Sequence, residues 1–164
     1  MLTVHKIGGT SMSKFEDVLE NIVKGQAPEG FFYNRIFVVS AYNSVTNWLL
    51  EHKKTGEPGV YDLFVKNKDY RQALEGLLVK LVAINHGMKE IGLDLGVADA
   101  FIRERVDQCL NYLVSLGEVM TSGYVNKQNI LLAAREILAS IGEAHSAFNS
   151  VNILKNNGVE SIFV

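Results

Sequence analysis

The chain has little of what marks secreted, fibrous or membrane-spanning proteins. Its 164 residues include one cysteine, two prolines and one tryptophan. A single cysteine cannot form an internal disulfide and suits a reducing compartment, so we expect a cytoplasmic protein. No run of about 20 apolar residues occurs, and no basic start leads into an apolar core, so we expect neither a membrane span nor a signal peptide.

An excess of one charge sign is also missing. The 16 basic and 18 acidic residues give a net charge of −2, which argues against recruitment to nucleic acid or to an anionic membrane. The length suits one domain with a sizeable core. The cysteine, Cys109, lies in a helical apolar pattern with Val106 and Leu113, so we interpret it as a core residue rather than a nucleophile.

Two short β-rich runs, Thr3–Ile7 and Arg35–Ser40, predict buried parallel strands. Between them the apolar spacing predicts a helix over Lys14–Lys24, ended by Gly25 and Pro28. A strand, a helix and a second strand in this order are typical of an α/β sheet whose strands are covered by helices on both faces.

The remainder of the chain is predicted to be mostly helical. The expected helices are Val45–His52, Tyr61–Asn67, Arg71–Asn85, Asp99–Leu116, Asn129–Ile141 and Ala144–Asn156. We interpret Gly142-Glu143 as the break between the last two. A third strand is predicted at Ser161–Val164, and since the sequence stops inside this apolar strand, we expect residues 1–164 to be the N-terminal part of a longer protein.

The first candidate site follows the first strand, where Lys6–Ser11 (Lys-Ile-Gly-Gly-Thr-Ser) leads into the helix. A strand, a glycine turn and a helix start aim backbone N–H groups at one point, where an anion such as a phosphoryl group can bind. The lysine precedes the glycines and the spacing G-x-G-x-x-G is absent, so the turn is neither a Walker P-loop nor a dinucleotide fingerprint. The alternative is a plain strand-to-helix connection in which Ser13 caps the helix.

Two further candidate sites consist of polar residues beside predicted strand or helix ends. Ser40 ends the second strand, where open α/β sheets bind ligands, and Thr46 and Asn47 begin the following helix. Glu143, in the glycine break, is placed to meet a cation such as a substrate ammonium or the Lys6 side chain. The alternatives are a strand-end serine with an ordinary helix start, and a solvated glutamate at a helix start.

The histidines support neither a metal site nor a catalytic base. His5, His52 and His86 lack metal-ligand spacing, and no Ser/His/Asp or Cys/His arrangement is present. His145 lies in an apolar helix start, which favours a structural role over that of a base.

Taken in order along the chain, these residues resemble the N-terminal part of the aspartokinases, in the amino acid kinase superfamily. The matching motifs are Lys6–Ser11, Val38–Ala41 (Val-Val-Ser-Ala), Thr46-Asn47, Gly142-Glu143 and Asn157–Val159 (Asn-Gly-Val). Gly117-Glu118 repeats the Gly-Glu pair, but only the later pair lies at the right distance from a following predicted strand. The segment Glu51–Tyr61 resembles the branch associated with ectoine synthesis.

The resemblance implies a three-layer α/β sandwich with a mostly parallel sheet, of which residues 1–164 would form a helix-rich N-terminal lobe. It implies that the full-length enzyme uses ATP with Mg²⁺ to phosphorylate the β-carboxylate of L-aspartate, and that it is a homo-oligomer. The second half of such a kinase domain, which supplies most of the ATP site, is not in this sequence, nor are regulatory domains. We therefore expect residues 1–164 to be inactive alone.

The resemblance also assigns roles to single residues. Lys6 would be catalytic and would neutralise charge on the transferred phosphoryl group. The phosphate-binding residues would be Gly8, Gly9, Thr10 and Ser11, and the substrate-binding residues would be Ser40, Ala41, Thr46 and Glu143. No metal ligand is implied within these residues.

The sequence departs from the family pattern at Asn43-Ser44, where Gly-Gly or Ala-Gly is usual. Serine tolerates left-handed backbone poorly, so we expect this loop to be shaped differently. A related kinase acting on another carboxylate is one alternative function, although Glu143 argues against acetylglutamate, whose amine carries no charge. The other alternative is a non-catalytic module that self-associates, which the mass in solution and a nucleotide-binding test would discriminate.

Overall fold

Two parallel strands form the sheet, β1 (Thr3–Ile7) and β2 (Arg35–Val39). The computed structural model describes residues 2–25, 32–52 and 54–164. The strands pair in register from Thr3 opposite Arg35 to Ile7 opposite Val39, which confirms both predicted strands and their parallel direction. Ser40 lies one residue beyond β2, but its N–H still donates to the Ile7 carbonyl at 3.1 Å.

The first part of the connection between the strands, up to Lys24, is helical, as its apolar spacing predicts. It comprises α1 (Gly9–Met12), α2 (Phe15–Val18) and a π-helical turn at Leu19–Lys24. The Arg35 guanidinium donates to the carbonyls of Ile22 and Val23 at 2.7 and 2.8 Å, which satisfies acceptors at the end of the π turn and fastens it to β2. The turn ends at Gly25, and Pro28 lies outside the described residues.

The middle of the chain is a series of helices close to the predicted positions. They are α3 (Val45–Leu49), α4 (Val60–Val65), α5 (Tyr70–His86), a 3₁₀ turn (Lys89–Ile91) and α6 (Leu95–Ser122). The first of these is shorter than predicted, since Glu51 pairs with Pro58 in an isolated antiparallel bridge. The segment Glu51–Tyr61 also includes Lys53, which lies outside the described residues.

Two long helices, α6 and α7 (Lys127–Asn156), pack against each other as a hairpin. Asp94 caps α6 by accepting from the Val97 N–H, and Asn126 caps α7 by accepting from the Gln128 N–H. Gly123 joins them in a left-handed conformation (φ 75°) that glycine adopts without strain. Although these helices have 28 and 30 residues, no helix in the described part of the chain is apolar enough over a sufficient length to cross a membrane.

The predicted break at Gly142-Glu143 is wrong, because α7 runs through it without interruption. The glycine serves close packing instead of chain reversal. A Cβ atom added to Gly142 would lie 2.7 Å from the Ala41 Cβ and 3.2 Å from a Val45 methyl group. The helix therefore accepts the propensity cost of a glycine, about 1 kcal/mol, in exchange for a close approach to the end of β2.

The predicted third strand at Ser161–Val164 is also wrong, since this segment has no strand pairing in the structure. A strand needs a neighbour for its backbone hydrogen bonds, and this segment instead lies along the helices. Phe163 packs edge-on against the stacked rings of Phe101 and Phe148, while Ile162 and Val164 are exposed.

The core lies between the helices and one face of the sheet. α7 packs against α6, α4, α3 and β2, so it joins the helical layer to the sheet. The other face of the sheet is open, with Val4, Ile36 and Val38 each about half exposed or more. The expectation that helices cover both faces is therefore wrong for the residues described, and the molecule is a helix-rich α/β structure with a small parallel sheet.

Two helical glycines give opposite expectations for stability. Gly142→Ala would insert a methyl group against Ala41 and Val45, so we expect the free energy of unfolding to fall by about 1–3 kcal/mol. A Cβ atom added at Gly76, in α5, has no atom within 4 Å, so Gly76→Ala should raise the free energy of unfolding by up to about 1 kcal/mol through helix propensity. Denaturant titration of both variants measures the difference, and equal changes would contradict the tight contact.

Candidate functional site

The glycine turn after β1 begins a helix earlier than predicted. Gly8 is the N-cap of α1 in extended conformation, and the helix starts at Gly9 instead of near Ser13. The first N–H groups of a helix have no acceptor within it, so those of Gly9, Thr10 and Ser11 face outward from the helix start. Gly8, Thr10 and Ser11 are exposed, and this donor set suits an anion.

Gly9 also packs this turn against the end of β2. A Cβ atom at Gly9 would lie 2.7 Å from the Ala41 carbonyl oxygen, so another residue there would push the two segments apart. Ser13 adds a second link, because its hydroxyl donates to the Gly9 carbonyl at 3.2 Å and accepts from the Asn43 N–H at 2.8 Å. Ser13 therefore joins the two loops. The alternative of a plain connection in which Ser13 caps a helix start is wrong on this point.

The segment after β2 is held from two sides. The Ser40 N–H donates to Ile7 of β1, and the Ser40 carbonyl accepts from the Ser146 hydroxyl of α7 at 2.9 Å. Ala41 is buried against Gly142. The carboxyl end of β2 is thus fixed between the glycine turn and α7.

Thr46 lies in the first turn of α3 and is exposed, with Asn47 beside it half-buried. Ser44 is the N-cap and has a left-handed backbone with φ 69°. The loop therefore keeps a conformation that suits glycine, although serine occupies the position. The expectation of a differently shaped loop at Asn43-Ser44 stays a prediction, and the feature seen here is a serine in a left-handed conformation.

Glu143 lies in the middle of α7, not at a helix start, and its side chain is exposed. Its carbonyl accepts from the Ser146 hydroxyl at 3.0 Å, the same hydroxyl that reaches Ser40. Glu143 follows Gly142 directly, so close packing brings it to the end of β2. The helix-dipole argument for a solvated glutamate at a helix start does not apply to this position.

Lys6 is exposed and lies opposite Val38 in the strand register. Side chains alternate along a strand, so Lys6 shares the open face of the sheet with Val4 and points away from buried Ile7. The structure thus brings the glycine turn, Ser40 and Ala41 to one end of the strands, together with the helical turn of α7 that contains Glu143 (the Glu143 turn). Lys6 lies on the adjoining open face.

A cleft of about 340 Å³ adjoins this end of the strands. Its lining includes Ser13, Lys14, Tyr42, Asn43, Trp48 and Met88. Trp48, in α3, is half-buried, and the Lys80 ammonium lies 4.8 Å from the centre of its ring. The volume is within the range of small-molecule sites.

Behind the site lies a buried polar cluster formed by Tyr42, Asn85, His145 and Asn149. The Asn85 Oδ1 lies 2.6 Å from His145 Nε2 and accepts from Asn149 Nδ2 at 2.8 Å. Asn149 Nδ2 also donates to the Tyr42 hydroxyl at 3.2 Å. Burial lowers the pKa of His145 to about 4, and the charge of Asp99 opposes this shift only in part. His145 is therefore neutral near pH 7, which fits a structural role.

Cys109 is buried, and burial raises the pKa of its thiol to about 12. A protonated, inaccessible thiol is not a nucleophile, which confirms its interpretation as a core residue. Within the described ranges, no three histidine, cysteine, aspartate or glutamate side chains come close enough to hold a metal ion.

Sequence reasoning did not find the buried cluster or the Ser146 contact. The signal was present in α7, where polar residues occupy core positions at helical spacing. His145 and Asn149, like Ser146 and Ser150, are four residues apart, and all four are buried. A buried polar stripe on a helix requires specific partners, and here the partners are Tyr42, Asn85 and Ser40.

In open α/β structures, ligands bind at the carboxyl ends of the strands, which is where this chain places its glycine turn and polar loops. The chain is 48% identical over 164 residues to the aspartate kinase Ask_Ect of Stutzerimonas stutzeri. The matched region covers 98% of this chain, which confirms the resemblance to an aspartokinase over nearly the whole chain.

The same region covers 34% of that relative, so this chain spans about a third of its length. The chain matches no protein-family model, and no solved structure matches it significantly. The sequence relationship therefore rests on this relative, and the roles of the individual site residues stay predictions.

Ser44→Gly should stabilise the protein. The left-handed conformation costs a residue with a Cβ atom about 1–2 kcal/mol, and the extra freedom of glycine in the unfolded chain cancels about 0.5–1 kcal/mol of the relief. We expect a net gain of about 0.5–1 kcal/mol in the free energy of unfolding, measured by denaturant titration. Ser44→Ala keeps the Cβ atom and is the control, and a similar gain there would exclude strain relief as the cause.

The buried His145 predicts acid-sensitive stability. Its pKa is lower in the folded protein than the usual 6.5, so the unfolded state binds the proton more tightly. The contribution is complete above pH 6.5 and is lost as the pH falls from about 6.5 to about 4, by roughly 3 kcal/mol. Denaturant titrations at several pH values in this range give the free energy of unfolding against pH. We expect this free energy to fall less steeply with falling pH in His145→Gln than in the original protein. Parallel curves would contradict the lowered pKa of His145.

Proposed function

We propose that residues 1–164 form the N-terminal lobe of an amino acid kinase domain, and that the complete enzyme is an aspartate kinase. It would transfer the γ-phosphoryl group of ATP to the β-carboxylate of L-aspartate. The relative named above supports this proposal by sequence, and the end of the parallel strands supports it by geometry.

The observation that carries the proposal is the convergence of three distant segments. Gly9 contacts the Ala41 carbonyl, Ala41 abuts Gly142, and Ser146 bonds Ser40. Phosphoryl transfer to an amino acid requires donors for a phosphate, a site for the acceptor carboxylate and a group for the ammonium, all within reach of one point. Positioning and charge neutralisation supply most of the catalysis in such transfers.

The glycine turn would bind the phosphoryl oxygens. The N–H groups of Gly9, Thr10 and Ser11 have no acceptor within α1, so they are free to donate to an anion. Gly8 leaves the approach open, because no atom lies within 4 Å of the place a Cβ would occupy. Lys6 would follow the transferred group from the open face of the sheet and neutralise its charge.

The acceptor would bind on the other side of the turn. Ser40, Ala41 and Thr46 would orient the β-carboxylate, and Glu143 would pair with the α-ammonium group. An oxygen of the carboxylate would attack the γ-phosphorus, the bond to the bridging oxygen would break, and ADP would leave with that electron pair, giving an acyl phosphate. The carboxylate attacks as the anion, so the chain needs no general base.

The nucleotide would come with Mg²⁺, which neutralises phosphate charge when bound. Magnesium in kinases keeps several waters and is held by substrate phosphates with one or two carboxylates. The donor set at the glycine turn fits phosphate oxygens, and it requires no metal ligand from the turn itself.

The open face of the sheet supports the finer fold proposal. Parallel sheets are usually covered on both faces, and Val4, Ile36 and Val38 leave one face bare. We propose that the complete protein adds a further layer here, as in a three-layer sandwich. A cytoplasmic location and a homo-oligomeric enzyme belong to the same proposal.

The decisive experiment is a trap for the acyl phosphate. The 164 residues alone, and a chimera that joins them to the part of the Stutzerimonas stutzeri relative outside the matched region, are incubated with ATP, Mg²⁺, L-aspartate and hydroxylamine. We expect aspartyl hydroxamate from the chimera and none from the 164 residues alone. A folded chimera that binds ATP yet forms no hydroxamate would refute the proposal, and N-acetyl-L-glutamate in place of aspartate tests the sister activity.

Lys6→Ala in this chimera should lower kcat by at least about 100-fold, the scale of removing one preorganised charge stabiliser. Lys155→Ala, which removes an exposed lysine at the end of α7, is the control and should leave kcat unchanged. A loss confined to KM in Lys6→Ala would contradict the catalytic role.

A further inference from the structure

We propose that the buried cluster of Tyr42, Asn85, His145 and Asn149 is a positioning device that holds the segment after β2 against the Glu143 turn of α7. This inference rests on the proposed function: the cluster sets the affinity of the site for the amino-acid substrate. None of the four residues contacts the substrate in this proposal. They act through Ser40, Ala41 and Glu143.

The cluster lies where four parts of the chain meet. Tyr42 comes from the loop after β2, Asn85 from the end of α5, and His145 and Asn149 from α7. Asn85 extends the cluster to α6, because its Nδ2 donates to Asp99 at 2.8 Å. The loop after β2 and α7, which carry Ser40, Ala41 and Glu143, are therefore connected with α5 and α6 by one set of hydrogen bonds.

The Asp99 carboxylate sets the orientation of the Asn85 amide. Asn85 uses its Nδ2 for Asp99, so its Oδ1 must be the atom that faces His145 and Asn149. The imidazole therefore carries its proton on Nε2 and donates it to Asn85. The two hydrogens of Asn149 Nδ2 go to Asn85 and to the Tyr42 hydroxyl, which in turn donates to the Met88 sulfur at 3.4 Å. Each donor in the cluster thus has a fixed direction.

Stability alone does not account for this cluster. His145 Nδ1 and Asn149 Oδ1 are buried and have no hydrogen-bond partner among the described residues. A buried network with unpartnered acceptors is less stable than a well-packed apolar core of the same shape. In some proteins, buried polar groups of this kind fix one arrangement of the packed elements.

The arrangement fixed here is that of the loop between β2 and α3 (residues 40–44, the substrate loop) on α7. The loop is attached to the helix at two points, two residues apart on the loop. The Ser40 carbonyl accepts from the Ser146 hydroxyl, and the Tyr42 hydroxyl accepts from Asn149 Nδ2. Ala41 lies between these points and abuts Gly142. Rotation or sliding of the loop would break one attachment, so the distance from Ser40 and Ala41 to Glu143 is set by the pair.

The test uses Tyr42→Phe, which removes one hydroxyl and keeps the ring. In the kinase chimera we expect KM for L-aspartate to rise about tenfold, on the scale of one lost buried hydrogen bond, with KM for ATP unchanged. Cys109→Ala, in the buried face of α6, destabilises the core without touching the cluster and should leave both KM values unchanged. An equal rise in both KM values for Tyr42→Phe, or no rise, would overturn the proposal.

A second measurement does not depend on catalysis. Hydrogen exchange of the 164-residue chain should show faster exchange at residues 40–45 in Tyr42→Phe than in the original protein, with the α5–α6 amides unaffected. Cys109→Ala should show the reverse pattern. Uniform acceleration, or none, would overturn the positioning role even if the chimera lacked activity, whereas the local effect in an inactive chimera would leave the positioning role standing and count against the kinase proposal alone.

Discussion

The close approach of α7 to the carboxyl ends of the strands is the constraint on which the rest of the structure depends. Gly142 admits the helix against Ala41, and Gly9 admits the glycine turn against the Ala41 carbonyl. Ala41 therefore lies between two backbone segments, at Gly9 and at Gly142, neither of which has a side chain. The interior of a protein is packed too tightly to absorb an added methyl group at such a contact, so both approaches require glycine.

The polar residues of α7 convert this close packing into a specific geometry. Apolar contact alone would tolerate small shifts of the helix along the sheet, because dispersion and the hydrophobic effect are weakly directional. Hydrogen bonds from Ser146 and Asn149 select one position, since each requires its partner at a defined distance and angle. The helix therefore exposes Glu143 on one side, while its buried side carries the hydrogen bonds that fix its position on the loop.

The strands and the order of the motifs could be predicted from the sequence because they depend on local signals, as the β-rich run Thr3–Ile7 shows. The uninterrupted course of α7 could not, since glycine breaks helices by propensity and only tertiary packing reveals why Gly142 is retained. The strand predicted at Ser161–Val164 failed for a related reason, because strand formation depends on a neighbour that sequence does not display. His145 could be assigned a structural role, but its hydrogen-bond partner Asn85 is distant along the chain, and only the fold brings the two side chains together.

The position of the one tryptophan makes the protein its own optical probe. Trp48 lies in the helix that follows the substrate loop, lines the neighbouring cleft and has the Lys80 ammonium over its ring. Indole emission responds to nearby charge and to solvent, and no second indole contributes a background. Fluorescence of the unlabelled chain therefore reports on this one corner of the molecule, so movements of the loop are visible in solution without any introduced dye.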